Sequence, residues 1–213
     1  PRIREILHEK RARRLQGPYS PRTVAQVSEG LSRLLAEEGG AISDVRRMSG
    51  GASKEQFLFM YDGPRGREQL VLRMDPLEGL LETCRRREAQ VLRAMRDVVP
   101  VPEVLYVDAD GSALGLPGLV TSFVPGVAKP PQAAASVSGL RTDFDEGWRT
   151  LLAPAFMDNL IRIHGFDFRP ADLPDFAVPD ADPLQPALRQ VNWWALAWRD
   201  DVVDAFPIMA IAE

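Results

Sequence analysis

Cysteine is nearly absent from this chain: Cys84 stands alone among 213 residues. A lone cysteine can neither close an internal disulfide nor supply the thiolates of a zinc cluster. It falls in a run that reads as helix, so it is read as a helix side chain without a special role. Histidine is almost as scarce. His8 and His164 lie far apart in sequence, which gives no support to a two-histidine metal site. Long apolar runs are missing as well: none approaches the ~20 residues needed to span a bilayer. The charged start, residues 1–15, lacks the apolar core of a signal peptide. A cytoplasmic location is therefore the default expectation, with no membrane partner. The missing initiator Met suggests a processed or trimmed start. Nor is there a basic surplus. The 26 Lys and Arg against 30 Asp and Glu give a net charge of -4, and the isoelectric point is near 5.4. That balance argues against a general nucleic-acid binder while leaving room for a local basic site for phosphates.

What is present suits a folded domain. The 45% hydrophobic and 26% charged content is ordinary for a soluble globular protein, and the length allows one large domain or two small lobes. Residues 1–38 read as helical, with a basic beginning (Arg2, Arg4, Lys10, Arg11, Arg13, Arg14) that reads as a solvated face or a membrane or nucleic-acid contact. Gly17-Pro18 and Ser20-Pro21 break it, and Val24, Val27, Leu31, Leu34 and Leu35 form an apolar stripe on a helix over 23–38. Strands are expected at 42–48, 56–61 and 69–74, then a helix over 80–96. That helix should turn Leu81, Cys84, Val91, Leu92 and Met95 to one side and Arg85, Arg86, Arg87 and Arg93 to the other. The prolines of Val99-Pro100-Val101-Pro102 enforce extended backbone before a strand at 104–107. Asp110-Gly111 opens a hairpin loop to a fifth strand at 119–124. The texture then turns helical: 148–165, 186–198 and 200–212, with a proline- and aspartate-rich loop at 169–183.

Two features point to chemistry. Met48-Ser49-Gly50-Gly51-Ala52-Ser53 lies between the first two strands, where paired glycines let backbone approach a ligand and present N–H groups to phosphate oxygens, with Ser53 adding a hydroxyl. Taken alone it reads as a plain hairpin turn, and it lacks the Gly-Lys-Ser/Thr of the large NTPase class. The third strand carries Arg73 in an apolar run, and a buried cation needs a partner. Glu88, 15 residues on, is the candidate, as a strand cation and helix glutamate grip and orient phosphates in kinase lobes. The alternative is a surface arginine and a surface glutamate that never meet.

Ser49-Gly50-Gly51-Ala52-Ser53, Leu70-Val71-Leu72-Arg73, Arg87-Glu88-Ala89, Val99-Pro100-Val101-Pro102 and Phe123-Val124-Pro125-Gly126, in that order, resemble the aminoglycoside phosphotransferase family. The branch most similar is the one related to the kinase-like domain fused to some acyl-CoA dehydrogenases. The resemblance covers residues 42–168. It implies an α+β, protein-kinase-like fold, with a five-stranded antiparallel sheet plus helix in an N-terminal lobe and an incomplete, mainly helical C-terminal lobe. The division that follows is a helical extension at 1–40, a nucleotide-binding lobe at 41–124, and the hinge exit with the first part of the helical lobe at 125–213. The resemblance implies ATP and Mg²⁺ as cofactors. Gly50, Gly51 and Ser53 would lie over the phosphates and Arg73 would replace the strand lysine, with Glu88 its partner. Ser122, Phe123 and Val124 would form the adenine-facing hinge.

Residues 160–167 resemble the family's Leu-x-x-Leu-His-x-x-Asp helix end, and His164 reads as structural there. The His-Gly-Asp loop with Asn five residues on is not matched: Asp167 is one residue late and Asp172 stands where Asn belongs. No catalytic residue and no metal ligand is recognised up to Glu213, and the expectation is a chain cut before the catalytic loop, inactive alone, with exposed apolar surface. No acyl-transfer pattern accompanies Ser49, Ser53 or Ser122. Asp172, Asp175, Asp180 and Asp182 form either an acidic patch for a cationic substrate or a solvated loop. Trp193, Trp194 and Trp198, at helical spacing, read as core or interface. The leading expectation is an ATP-dependent kinase acting on a hydroxyl of a small molecule, without nucleic-acid partners. A nucleotide-binding pseudokinase or partner-binding module, and a protein kinase, are the competing readings. Fold resemblance names no acceptor.

Overall fold

The computed structural model describes residue 8 and residues 21–48, 54–75, 84–126, 144–167, 169–176, 181–182 and 184–201. Helix α1 (Val24–Leu34) begins at Thr23, whose hydroxyl accepts from the Gln26 backbone N–H while Gln26 reaches back to the Thr23 N–H. This reciprocal cap satisfies donors that the first helical turn leaves open. A short 3₁₀ turn, Ala36–Glu38, follows and ends at Gly39 in the left-handed region, so the helical stretch expected to Glu38 tightens after Leu34.

Five antiparallel strands come next in the chain: β1 (Ala41–Arg47), β2 (Glu55–Gly63), β3 (Gly66–Met74), β4 (Val104–Asp108) and β5 (Gly118–Ser122). Their order across the sheet is β1-β2-β3-β5-β4. Strand periodicity of two sends Phe57, Phe59 and Tyr61 of β2 and Leu70, Leu72 and Met74 of β3 to one face, where they meet Val27 and Leu31 of α1 and Leu35 at its C-cap. Full burial of such side chains contributes about 1.5–3 kcal/mol each, so this layer of helix on sheet is the main core. The opposite face of β3 is left for Val71 and Arg73. Edge strand β1 carries a bulge between Ser43 and Arg46, with Asp44 at φ 55. Asp tolerates that conformation, and a bulge disfavours pairing with a further strand.

Helix α2 (Arg85–Ala94) lies between β3 and β4 in the chain and differs from expectation in two ways. It starts at Arg85, because Cys84 is its N-cap with extended backbone (φ -124, ψ 116) and so is not a helix side chain. Its buried residues are Arg85 and Ala89, while Val91 is exposed. The expected outward placement of Arg85 is thus reversed; ion pairing, described below, is what makes its burial tolerable. Strand β5 ends at Ser122 rather than at Val124. The β4–β5 loop expected at Asp110-Gly111 is present. Asp108 accepts from the backbone N–H groups of Ala113 (3.0 Å) and Leu114 (2.7 Å), and Gly111 sits at φ 79.

Two longer helices complete the described chain, α3 (Glu146–His164), which accommodates Pro154, and α4 (Leu184–Asp201). The two helices expected at 186–198 and 200–212 are corrected here: Asp200 continues the first, since no Gly or Pro interrupts the chain between Pro186 and it. Residues beyond 201 lie outside the described part.

Candidate functional site

Pairing of β2 with β3 sets Arg73 opposite Gln56, on the sheet face away from the α1 core. From there its Nη1 donates to Glu88 Oε1 in the first turn of α2, so the strand cation and the helix acid meet. Arg85, one turn before Glu88, lies beneath them with only 1% of its side chain exposed. Its Nη2 lies 3.0 Å from Asp75 Oδ1 and its Nη1 2.5 Å from Glu88 Oε2. The second contact is an ion pair without hydrogen-bond alignment, and the buried Nε atoms of Arg73 and Arg85 have no hydrogen-bond partner among the described residues. Asp75 also accepts from Lys54 Nζ at 2.8 Å, both side chains being 8% exposed. Burial holds the Lys54 ammonium below its ordinary pKa, and the Asp75 carboxylate opposes that shift.

The constellation continues along β2. Glu55, almost fully buried, accepts from Arg22 through both the backbone N–H (3.1 Å) and the guanidinium, and from Arg47 Nη2 at 3.0 Å. Arg22 Nη1 also reaches the Asp75 carbonyl at 3.3 Å, joining the two clusters. Five cations (Arg22, Arg47, Lys54, Arg73, Arg85) thus surround three carboxylates (Glu55, Asp75, Glu88), a surplus of two positive charges among the described residues. In a partly buried site such a surplus attracts an anion, and an arginine fork matches phosphate oxygens.

The other expected residues are placed as follows. Gly50, Gly51 and Ser53 lie outside the described residues, in the link between paired strands β1 and β2. Ser122 exchanges bonds with Glu103: its N–H donates to the Glu103 carbonyl and its Oγ accepts from the Glu103 N–H, both at 2.9 Å. The Phe123 N–H donates to the Gln69 carbonyl at 3.1 Å, and Val124 is exposed. Ser122 and Phe123 therefore spend their backbone donors on neighbouring segments. His164 is exposed in the last turn of α3, and Asp167 lines an open groove with Asp97, Val98, Arg162, Gly165 and Phe166. The described aspartates of the 169–183 loop each have a partner of their own. Asp172 pairs with Arg169, Asp175 with Arg86, and Asp182 caps α4, while Asp180 lies outside the described residues. Trp193 is half-buried and Trp194 exposed. Among the described residues no group of three or more His, Cys, Asp or Glu side chains is disposed to hold a metal, and no helix is long and apolar enough to cross a membrane.

Sequence reasoning missed Arg85, Asp75, Lys54, Arg22 and Glu55 as members of this constellation. The available signal was the Arg85–Glu88 spacing of three, which sets the two on one helix face.

The sheet with its crossing helix, the strand-to-helix ion pair and the helices that follow define a kinase-like α+β fold. A solved chain from Ralstonia eutropha JMP134, provisionally described as an aminoglycoside phosphotransferase, shares that fold. The TM-score is 0.56 at 21% identity, over 86% of this chain and 50% of that one. The mouse acyl-CoA dehydrogenase family member 10 is 31% identical over 145 residues, which is 66% of this chain and 12% of that protein. The model of the phosphotransferase enzyme family matches residues 44–210. The chain belongs to the phosphotransferase enzyme family. It spans half the length of the solved relative and a small fraction of the mouse protein.

Proposed function

We propose that this chain is the nucleotide-binding part of an ATP- and Mg²⁺-dependent kinase that transfers the γ-phosphoryl group to a hydroxyl of a small molecule. The observation that carries the reading is the surplus of cations, among the described residues, around the Arg73–Glu88 pair, at the junction of β3 with α2. The residues fit a triphosphate. Arg73 would take phosphate oxygens with its guanidinium, Lys54 and Arg85 would offset their charge, and Glu88 would hold Arg73 in position. The link carrying Gly50, Gly51 and Ser53 would lie over the phosphates, and Ser122 to Val124 beside the adenine. When bound, ATP supplies the transferred group and Mg²⁺ neutralises charge on it. The described residues do not fit a Mg²⁺ site of their own.

The same ion-pair cluster supports a second reading, because it bears on binding and not on transfer. A nucleotide-binding module without transfer activity would need only the phosphate grip. The experiment common to both is a calorimetric titration of Mg-ATP into the protein and its Arg73→Ala variant. Saturable binding that weakens in the variant is expected; no binding by the folded protein would overturn both readings. Acceptor-dependent phosphate transfer then separates the enzyme from the module.

A further inference from the structure

The outer face of α2 is contacted as well as its inner face. Asp175 meets side chains of that helix through Oδ2, its backbone N–H and its carbonyl, across some 85 residues of sequence. Asp175 Oδ2 forms an ion pair with Arg86 Nε at 2.8 Å and accepts from Gln90 Nε2 at 3.0 Å. Its backbone N–H donates to Gln90 Oε1 at 3.2 Å, and its carbonyl accepts from Arg87 Nε at 2.9 Å. The Arg87 guanidinium also lies 5.8 Å from the centre of the Phe176 ring, close enough for cation–π attraction. Leu173, two residues before Asp175, is buried.

These contacts matter because of what α2 lacks. It is ten residues long, and isolated helices of that length are marginal in water. Its buried side chains are Ala89 and the charged Arg85, so little apolar burial fixes where it sits. Gln90 is two residues from Glu88, about 200° around the helix. Asp175 therefore grips the side of α2 opposite the one that offers Glu88 to Arg73.

We propose that Asp175 is a latch: a positioning residue that holds α2 where Glu88 reaches Arg73, and so sets the geometry of the phosphate grip from the far side of the helix. The proposal rests on the nucleotide-binding reading for its effect on ligand affinity, but not for its effect on α2 itself. An exposed ion pair such as Arg86 with Asp175 contributes little alone. The latch is the charge-assisted hydrogen bond from Gln90 to the Asp175 carboxylate, which Asp175→Ala removes; the main-chain bonds of Asp175 to Gln90 and Arg87 survive that substitution and support it.

The test uses Asp175→Ala and, as a second break of the same contact, Gln90→Leu. Two readouts are taken: amide hydrogen exchange over residues 85–94, and Mg-ATP affinity with and without Glu88→Gln. Faster exchange over α2 is expected in both variants, with a roughly two- to thirtyfold loss of affinity, the range seen for residues that couple through a shared element. In the Glu88→Gln background, Asp175→Ala should add no further loss. Asp175→Asn keeps an acceptor for Gln90 and should restore most of the affinity. Unchanged exchange over α2, or an equal loss of affinity without Glu88, would overturn the latch. Should the unmodified protein bind no Mg-ATP, the nucleotide reading fails, and the exchange measurement alone decides whether Asp175 holds the helix.

Discussion

Arg85 is the residue on which the site turns. Its guanidinium is as buried as the core leucines and is shared between Asp75 and Glu88. A buried pair is weak evidence for net stability, yet removing one partner leaves a desolvated charge behind. Arg85→Met should therefore destabilise by about 3–5 kcal/mol, read from the urea unfolding midpoint. Arg33→Ala, which breaks an exposed pair with Glu29, should cost less than about 1 kcal/mol. Tyr106 gives a pH signature. Burial, with Tyr61 beside it, pushes its phenol from 10.0 up to about 12. The folded chain then keeps a proton that the unfolded chain releases, so this contribution is intact below pH 10 and is lost as pH rises towards 12. Lys54, with its pKa lowered from 10.5, acts with the opposite sign below that pH. Alkaline absorbance titration should show a late-ionising tyrosine that Tyr106→Phe removes; three tyrosines all ionising near the ordinary value would contradict this. At this scale the Arg73–Glu88 pair was legible, because a cation in the apolar run 70–74 demands a nearby acid. Arg85 was not, since helical periodicity assigns a run of arginines to solvent and carries no record of the carboxylates that the fold brings to one of them.

Strands were the most legible elements, because alternation and turn residues mark them locally: Pro64-Arg65 closes the β2–β3 hairpin and Gly111 shapes the β4–β5 loop. At Gly111 an added Cβ would meet the Leu116 backbone at 2.5 Å, and φ is already +79. Gly111→Ala should thus cost more than about 1 kcal/mol, seen as a lower thermal midpoint; an unchanged midpoint would mean that the loop is not held as described. Helix boundaries were less legible. The start of α2 is set by extended backbone at Cys84, which no residue type announces. The length of α4 follows from what does not interrupt it, although a pair of acidic residues near its end resembles a new start. The latch at Asp175 was invisible in sequence for a plainer reason. Its partners are 85 to 89 positions away, and a proline- and aspartate-rich loop gives no sign of which helix it will meet.

Across the whole molecule, the sheet and α1 carry the core, while α3 and α4 present much of their apolar surface. Leu151, Phe156, Ile161, Leu188 and Trp194 are each more than half exposed, and α3 buries none of its residues. A helix that is apolar around its circumference is ordinarily enclosed by other elements, and the solved relative is about twice as long as the part matched here. Charge is as unevenly distributed as burial. The chain is net acidic, yet among the described residues five cations converge on three carboxylates where the start of β2, the end of β3 and the first turn of α2 meet. We propose that this contrast gives an anionic chain a local grip for phosphates. The measurement that tests it most directly is affinity for Mg-ATP and for adenosine at low and at high salt. Binding of Mg-ATP should be the tighter at low salt and should weaken steeply as salt rises, with adenosine hardly affected. Equal affinities for the two ligands, both indifferent to salt, would show that the cations around Arg73 and Glu88 hold the fold together and nothing else.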